Sequence, residues 1–110
     1  MTIEQFAVKV LSKLGVYDRS SLDPADLENV NDAYQGVYLT LADDGLVTWA
    51  ITDDIPVRVS LPLINLVASE IAPFYHMPMM DMKERQMQIN IIRRQLASGQ
   101  DTEPVTAEYF

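Results

Sequence analysis

Cysteine is absent from this chain of 110 residues, and histidine occurs once, at His76. Without cysteine the chain has neither a disulfide nor a thiolate metal site. The four glycines are isolated from one another, so no glycine-rich phosphate-binding motif is present. Basic residues are also few: eight lysines and arginines stand against 16 acids, which gives a net charge of −8. Such a chain repels nucleic acid phosphates, and this argues against a duplex-binding role.

A long uninterrupted apolar run is also missing. The most apolar stretch is 61–76, LPLINLVASEIAPFYH, and four polar residues interrupt it: Asn65, Ser69, Glu70 and His76. We therefore expect no membrane span. Residues 1–4 contain no basic cluster, so we expect no cleavable signal. These absences favour a soluble protein made in a cytoplasm.

No arrangement of residues indicates catalysis. A catalytic histidine needs an orienting carboxylate and a nucleophile or substrate, and the acid nearest to His76 is Asp81. We interpret His76 as a structural residue at a helix end. The acid pairs at 43–44 and 53–54 lack the glycine-punctuated oxygen ligands of a cation loop, so we interpret them as solvated loop acids. The sequence predicts no enzyme activity, no cofactor and no bound metal.

Two helices are predicted in the first half of the chain. Thr2 with Gln5 forms a capping-box pattern, and apolar residues follow at helical spacing as far as Gly15. Asp23, followed by a proline, marks the start of a second helix that ends at Gly45. At about 1.5 Å per residue this second helix is about 30 Å long.

The third helix is predicted within residues 61–76 and is apolar nearly all the way round. A helix of this kind must be covered on every side. Either it occupies the centre of a small bundle, or a neighbouring subunit covers part of it. Pro62 falls in its first turn, and Pro73 is expected to kink or end it. Gly36 in the second helix weakens that helix by about 1 kcal/mol, and we expect another backbone to approach it closely.

Residues 46–58, between the second and third helices, break the helical pattern. Val47, Trp49 and Ile51 alternate with Thr48, Ala50 and Thr52. This alternation predicts an extended segment or a short strand. Because so short a segment cannot form a sheet alone, we expect any strand to pair in a hairpin or with another chain.

The fourth helix is predicted from Asp81, paired with Glu84, to Ser98, with Gly99 as its stop. At 100° per residue the predicted core face consists of Met82, Ile89, Ile92 and Leu96. The opposite side carries Met80, Met87 and Ile91. A second apolar stripe with methionines is typical of surfaces that adapt to a partner. We predict an intersubunit contact here, the alternative being cover from a tail or loop of the same chain.

Charge is unevenly distributed along the chain. Nine acids stand against one base, Arg19, in an acidic flank: Asp18, Asp23, Asp26, Glu28, Asp32, Asp43, Asp44, Asp53 and Asp54. Four bases stand against one acid, Glu84, in a basic flank: Lys83, Arg85, Arg93 and Arg94. The two flanks are either solvated helix faces of one molecule or complementary surfaces that join successive copies head to tail.

The last residues, 100–110, have no helical period and end in Tyr109-Phe110. We predict an extended C-terminal arm that docks either on its own bundle or on a neighbouring subunit. The predicted protein-interface residues are Met80, Met87, Ile91, Arg93, Arg94, Trp49, Val105, Tyr109 and Phe110.

Three segments resemble the head-completion, or head-to-tail adaptor, proteins of tailed bacteriophages: VLSKLGV (10–16), DPADLENVNDAYQGVYLTLADDGLVTW (23–49) and PLINLVASEIAPFY (62–75). In that family a first helix ends in a leucine-glycine turn. A long acidic second helix ends in a glycine followed by an extended segment that carries an aromatic residue. A third, apolar helix ends in alanine-proline and an aromatic residue. Lys13-Leu14-Gly15, Asp44-Gly45 to Trp49, and Ala72-Pro73-Phe74-Tyr75 match these features in order.

The resemblance implies a ring, usually of twelve copies, beneath the portal of a DNA-filled capsid. Its partners would be further copies of itself, the portal protein, tail or neck proteins, and packaged DNA that passes through without sequence-specific binding. Such a protein is assembled in the host cytoplasm and resides in the virion, at the head–tail junction.

The sequence as a whole predicts an all-α fold, a small four-helix bundle. An extended segment lies between helices 2 and 3, residues 1–99 form the helical adaptor domain, and residues 100–110 form the arm. The alternative function is a small acidic regulatory protein-binding module whose stripe at Met87 and Ile91 captures one helix of a partner.

Overall fold

The computed structural model describes residues 1–16 and 23–101, with side chains as far as residue 97. Four α-helices are present: α1 (Ile3–Lys13), α2 (Pro24–Asp43), α3 (Val57–Ile71) and α4 (Met82–Asp101). A 3₁₀ turn, Ala72–Tyr75, follows α3 directly. The described part of the chain contains no strand, and the prediction of an all-α four-helix fold is confirmed. The predictions for Asp18, Arg19, Val105, Tyr109 and Phe110 lie outside the described residues.

The predicted starts of α1, α2 and α4 are confirmed by hydrogen bonds from the backbone to capping side chains. Thr2 and Gln5 form the reciprocal capping box of α1, with distances of 2.9 and 3.1 Å. The Asp23 carboxylate accepts from the second residue of α2 at 2.9 Å. Asp81 accepts from the amide of Glu84 at 2.8 Å at the start of α4. Each bond satisfies one of the amides that a helix leaves unpaired at its start.

Three helix ends share one hydrogen-bond pattern. In each, a residue in the left-handed region follows the helix, and the next amide donates back to a carbonyl five residues earlier. Gly15 (φ 81°) and Gly45 (φ 72°) occupy this position after α1 and α2, where a glycine has no Cβ to clash. His76 (φ 61°) occupies it after the 3₁₀ turn, and the amide of Met77 donates to the Ala72 carbonyl at 3.0 Å. The interpretation of His76 as a helix-end residue is therefore confirmed.

Helix α3 occupies the centre of the bundle, with α1, α2 and α4 all packed against it. Most of its residues are buried, including Leu63, Leu66 and Val67, each at 1% exposure or less. The two exposed apolar residues, Val57 and Leu61, lie in its first turns. Of the two explanations for its all-round apolar surface, the central position is confirmed, and no neighbouring subunit is needed to bury it.

The start of α3 differs from the prediction. The helix begins at Val57, so Pro62 lies inside it rather than in its first turn. Pro73 ends the α-helix as predicted, because the chain tightens into the 3₁₀ turn at Ala72. Among the described residues one stretch, Val57–Tyr75, is long and apolar enough to span a membrane, with mean hydropathy 1.3. The expectation that no stretch is long and apolar enough is therefore corrected. However, 61% of this stretch is buried inside the domain, as is typical of a core helix.

Residues 46–56 form turns rather than a strand. Their backbone pairs once with the start of the chain, where Ile55 donates to Met1 at 2.8 Å and accepts from it at 3.0 Å. The segment is fixed to α2 by Trp49, whose indole nitrogen donates to the Tyr34 hydroxyl at 2.9 Å. Tyr38 in turn donates to the Trp49 carbonyl at 2.6 Å. Of the alternating apolar residues, Trp49 is buried and Val47 is half-buried, but Ile51 is exposed, so the pattern corresponds neither to a strand nor to a continuous core face.

We expect Tyr34→Phe to lower the free energy of unfolding by about 1–3 kcal/mol, because the buried Trp49 indole loses its acceptor. Burial raises the pKa of the Tyr34 phenol above its usual value. The folded protein thus holds this proton more tightly than the unfolded chain. The stabilisation is complete below pH of about 10 and is lost as the pH rises through the folded pKa. Chemical denaturation at pH 7 and above pH 10 measures both effects, and Tyr34→Phe should weaken the alkaline loss.

Tyr38→Phe is the control, since it also removes one hydroxyl but leaves the bond between Tyr34 and Trp49 in place. Equal losses of stability in the two variants would contradict a special role for the Tyr34 hydroxyl.

Candidate interaction surface

Helix α4 packs on α3 through a face that the sequence analysis assigned only in part. Ile89 and Ile92 are buried as predicted, and Leu96 is half-buried against the core. Met82, predicted to lie in the core, is 80% exposed, so that prediction is wrong. The buried residue missed by the sequence analysis is Gln88, which joins Asn65 of α3 to Glu84 through hydrogen bonds of 3.1 and 2.9 Å.

The register of α4 explains the exposure of Met82. Arg85 pairs with Glu70 at 3.4 Å, and Gln88 pairs with Asn65, so α4 runs antiparallel to α3. One turn before Arg85, Met82 lies beyond the end of α3, where there is little core left to contact. The helix also continues to Asp101, so the prediction that Gly99 ends it is wrong.

The predicted interface residues of α4 have different surroundings. Met87 is 47% exposed, and Arg93 and Arg94 are exposed. Ile91 is half-buried. Met80 precedes the helix and packs partly against the core, so its placement on the outer stripe of α4 is corrected. The outward face of α4 within the described residues therefore includes Met87, Arg93 and Arg94 with the half-buried Ile91, together with other exposed residues such as Met82 and Lys83.

Trp49 is placed inside the domain rather than on its surface. Its indole is buried and lies edge-on to Tyr38, with ring centroids 5.9 Å apart. The prediction that Trp49 is an interface residue is therefore corrected for the folded chain, because its contact surface is already occupied. At Gly36 an added Cβ would meet nothing within 4 Å, so the expected close approach of another backbone is not made by the described residues of this chain.

The described parts of the acidic and basic flanks lie mainly on two different helices, α2 and α4, which both pack on the central helix. Helix α2, which carries much of the acidic flank, packs on α3 and α1, whereas α4 packs mainly on α3. Most of the described acids are exposed; Asp26 is half-buried and accepts a hydrogen bond from the Tyr75 hydroxyl at 2.5 Å. In the basic flank, Arg85 forms an ion pair with Glu70 of the same chain. The other three bases, Lys83, Arg93 and Arg94, are exposed, and their predicted contact with a partner stays a prediction.

A second acidic feature is a cleft of about 360 Å³ between the start of α1, the middle of α2 and residues 51–55. Its wall carries the carboxylates of Glu4, Asp53 and Asp54. The Asp53 carboxylate also accepts from the Ala50 amide at 3.1 Å, which holds the turn. Within the described ranges no three acids or histidines come together as metal ligands. The cleft suits a cationic side chain better than a metal ion.

Methionines concentrate where the chain turns from α3 into α4. Four of the six methionines lie within residues 77–82, and Met77, Met79 and Met82 are exposed there, with Phe74 beside them. The left-handed turn at His76 directs this segment back over the end of α3. The Met80 amide then donates to the Ser69 hydroxyl at 2.9 Å and fixes the segment against the helix.

Beneath this segment lies an apolar cleft of about 310 Å³. We call it the methionine cleft, and it is lined by Lys13, Leu14, Asn65, Ala68, Ser69, Ala72, Met77, Pro78, Met79 and Met80. It exists because α3 presents the small side chains of Ala68 and Ala72 where the segment crosses over. One wall carries the Asn65 oxygen Oδ1, which is buried and has no hydrogen-bond donor among the described residues.

The sequence analysis predicted methionines at an interface but placed them on α4, and it did not anticipate the cleft. In comparisons with protein-family models, curated proteins and solved structures, no match to this chain was found.

Proposed function

We propose that this protein is a structural protein of a tailed-bacteriophage virion. As a head-to-tail adaptor it forms a ring beneath the portal, extends the DNA channel and joins the tail. The observation that carries the proposal is the position of the three motifs on which the family resemblance rests. Residues 13–15, 44–49 and 72–75 each lie at the end of a helix in the described structure. Their order and the helices they end agree with the family pattern.

The charge distribution supports assembly into a ring. A head-to-tail contact joins two different surfaces of the same chain, and such contacts close into a ring when the rotation fits. The acidic residues of α2 and the exposed bases of α4 are two such surfaces, carried by different helices that both pack on α3. We propose that Arg93 and Arg94 of one copy meet the acidic flank of the next.

The acidity of the chain supports a conduit for DNA. A net charge of −8 makes the wall of a channel repel phosphates, so a duplex slides past instead of binding. Packaged DNA is thus a passing occupant, and the binding partners are proteins: other copies, the portal, and tail or neck proteins. The protein acts at the head–tail junction of the virion and is not an enzyme.

Sedimentation velocity over a hundredfold range of protein concentration tests this function. We expect a discrete large species of fixed size at high concentration, and negative-stain electron microscopy of that species should show rings. A chain that stays monomeric or dimeric throughout, and also forms no ring with a purified phage portal protein, would contradict the adaptor proposal. That outcome would favour the regulatory module, for which the exposed methionines of residues 77–82 supply an adaptable surface.

A further inference from the structure

The methionine cleft is an apolar site that no described side chain fills. Its lining is mostly alanine, leucine and methionine, and its volume of about 310 Å³ lies at the lower end of the range for binding pockets. Unbranched methionine side chains adjust to the shape of an occupant. Size and chemistry therefore suit an aromatic side chain on a short peptide segment.

Two polar groups of the cleft restrict the choice of occupant. Lys13 at its edge, an exposed residue, is the one charged residue that the described part of the chain places in the lining, and it favours an occupant with a nearby acid. Asn65 also lines the cleft, and its side-chain oxygen Oδ1 is buried and lacks a donor among the described residues. A donor such as a phenol hydroxyl or a backbone amide would satisfy this atom once the Asn65 side chain turns its oxygen toward the cleft. The matching occupant is apolar and aromatic, and it carries one acid and one donor.

The chain itself contains a segment of this composition. Residues 105–110, VTAEYF, combine an acid, Glu108, with the adjacent Tyr109 and Phe110. This segment follows α4 and lies beyond the described residues. Glu108 complements Lys13, and the Tyr109 hydroxyl is a hydrogen-bond donor.

The number of residues after α4 favours a second copy as the source of the segment. The cleft adjoins the start of α4, and α4 runs away from it, as the pairing of Gln88 with Asn65 shows. From Met82 to Asp101 the helix rises by about 28 Å. Nine further residues extend at most about 32 Å, and reversing direction uses some of that length. The segment therefore reaches its own cleft only if it runs back along α4 in a largely extended conformation, whereas entry into the cleft of an adjacent copy does not require this path.

We propose that the methionine cleft binds residues 105–110 of a second copy of the chain, with Tyr109 and Phe110 in the cleft and Glu108 beside Lys13. The contact is heterologous, because an arm on one copy enters a cleft on the next, and repetition of it generates a ring or a filament. It deepens the proposed function by naming one contact of the ring, and it rests on that function for the premise that copies assemble.

Photo-crosslinking in the full chain tests this contact. Phe110→p-benzoylphenylalanine places a photoreactive aromatic group at the predicted position. Equal amounts of ¹⁴N- and ¹⁵N-labelled chains are mixed under unfolding conditions, refolded, irradiated and digested, and mass spectrometry identifies the linked peptides. We expect links to residues 77–80 in peptide pairs of mixed isotope, which only two different chains produce. The same probe introduced at Leu39, an exposed position on α2, should give no link to these residues.

Charge reversal supplies a matched pair of variants. Lys13→Glu should reduce the mixed-isotope links severalfold, because it faces Glu108, while Lys9→Glu, one turn earlier on α1 and outside the cleft, should not. Adding Glu108→Lys to Lys13→Glu should restore the yield. Thermal melting of each variant shows that the domain remains folded.

Three outcomes would overturn the inference. They are links to residues 77–80 only within one isotope, links to another part of the surface, and no links at all. Each leaves the proposed function standing if sedimentation still shows a ring. Absence of the large species in sedimentation would instead contradict the proposed function, so the two failures are told apart.

Discussion

The double charge reversal Arg93→Glu/Arg94→Glu should abolish assembly while the domain stays folded. Both side chains are exposed on α4, and Arg93 makes only a local hydrogen bond, to Asn90 at 3.0 Å. Loss of either should therefore change the free energy of unfolding by no more than about 0.5 kcal/mol. In the assembly, attraction to the acidic flank of the next copy becomes repulsion. Sedimentation velocity should show the variant as a monomer at concentrations where the unchanged chain forms the large species.

Salt gives an independent measure of the same contact. Exposed charges are screened over about 8–10 Å at physiological ionic strength, so assembly of the unchanged chain should weaken as salt rises. The control is Lys9→Glu/Arg58→Glu, which changes the net charge equally at exposed positions outside α4. If this control also fails to assemble, the effect of the arginine substitutions is due to net charge and not to a specific contact of α4. Normal assembly of the Arg93→Glu/Arg94→Glu variant would contradict the complementary flanks.

Ile92→Ala should be among the most destabilising single substitutions in α4. Ile92 is fully buried and anchors α4 to the core. Truncation of a buried isoleucine to alanine costs about 2–5 kcal/mol, through lost transfer free energy and the cavity left behind. For a domain of this size each kcal/mol lowers the melting temperature by about 4–8 °C. Chemical and thermal denaturation followed by circular dichroism measure the change.

Met82→Ala is the matched control, because the helical pattern placed both residues on one face and the structure separates them. At 80% exposure Met82 has little to lose, and the expected change is within about 0.5 kcal/mol. A loss in Met82→Ala similar to that in Ile92→Ala would mean that the face assigned from the pattern, and not the one in the structure, packs on α3.

Most helix ends could be predicted from the sequence because their signals are local. The capping box at Thr2, the acids at Asp23 and Asp81, and the glycines Gly15 and Gly45 act through hydrogen bonds within a few residues. A local signal needs no knowledge of distant contacts. The exceptions were the continuation of α4 past Gly99 and the start of α3 at Val57, where Val59 and Ser60 are buried ahead of Pro62.

The candidate interaction surface was only partly predictable. Charge segregation and the methionine content could be read directly, and both are present on the surface of the described domain. Trp49 was predicted to be an interface residue, but it is buried within the domain. Its partner turned out to be Tyr34, which lies 15 residues earlier and is brought close only by folding.

By itself the sequence determined the number of helices, most of their ends, the net charge and the apolar character of α3, since all of these follow from composition and short-range pattern. Only the tertiary structure decided that α3 is covered within one chain, that Gln88 rather than Met82 faces it, and that a cleft lies beneath residues 77–80. The physical reason is that burial depends on where a neighbouring helix ends. Helix α3 stops at Ile71, so an apolar residue opposite its end is exposed, while a polar residue opposite its middle is buried and hydrogen-bonded.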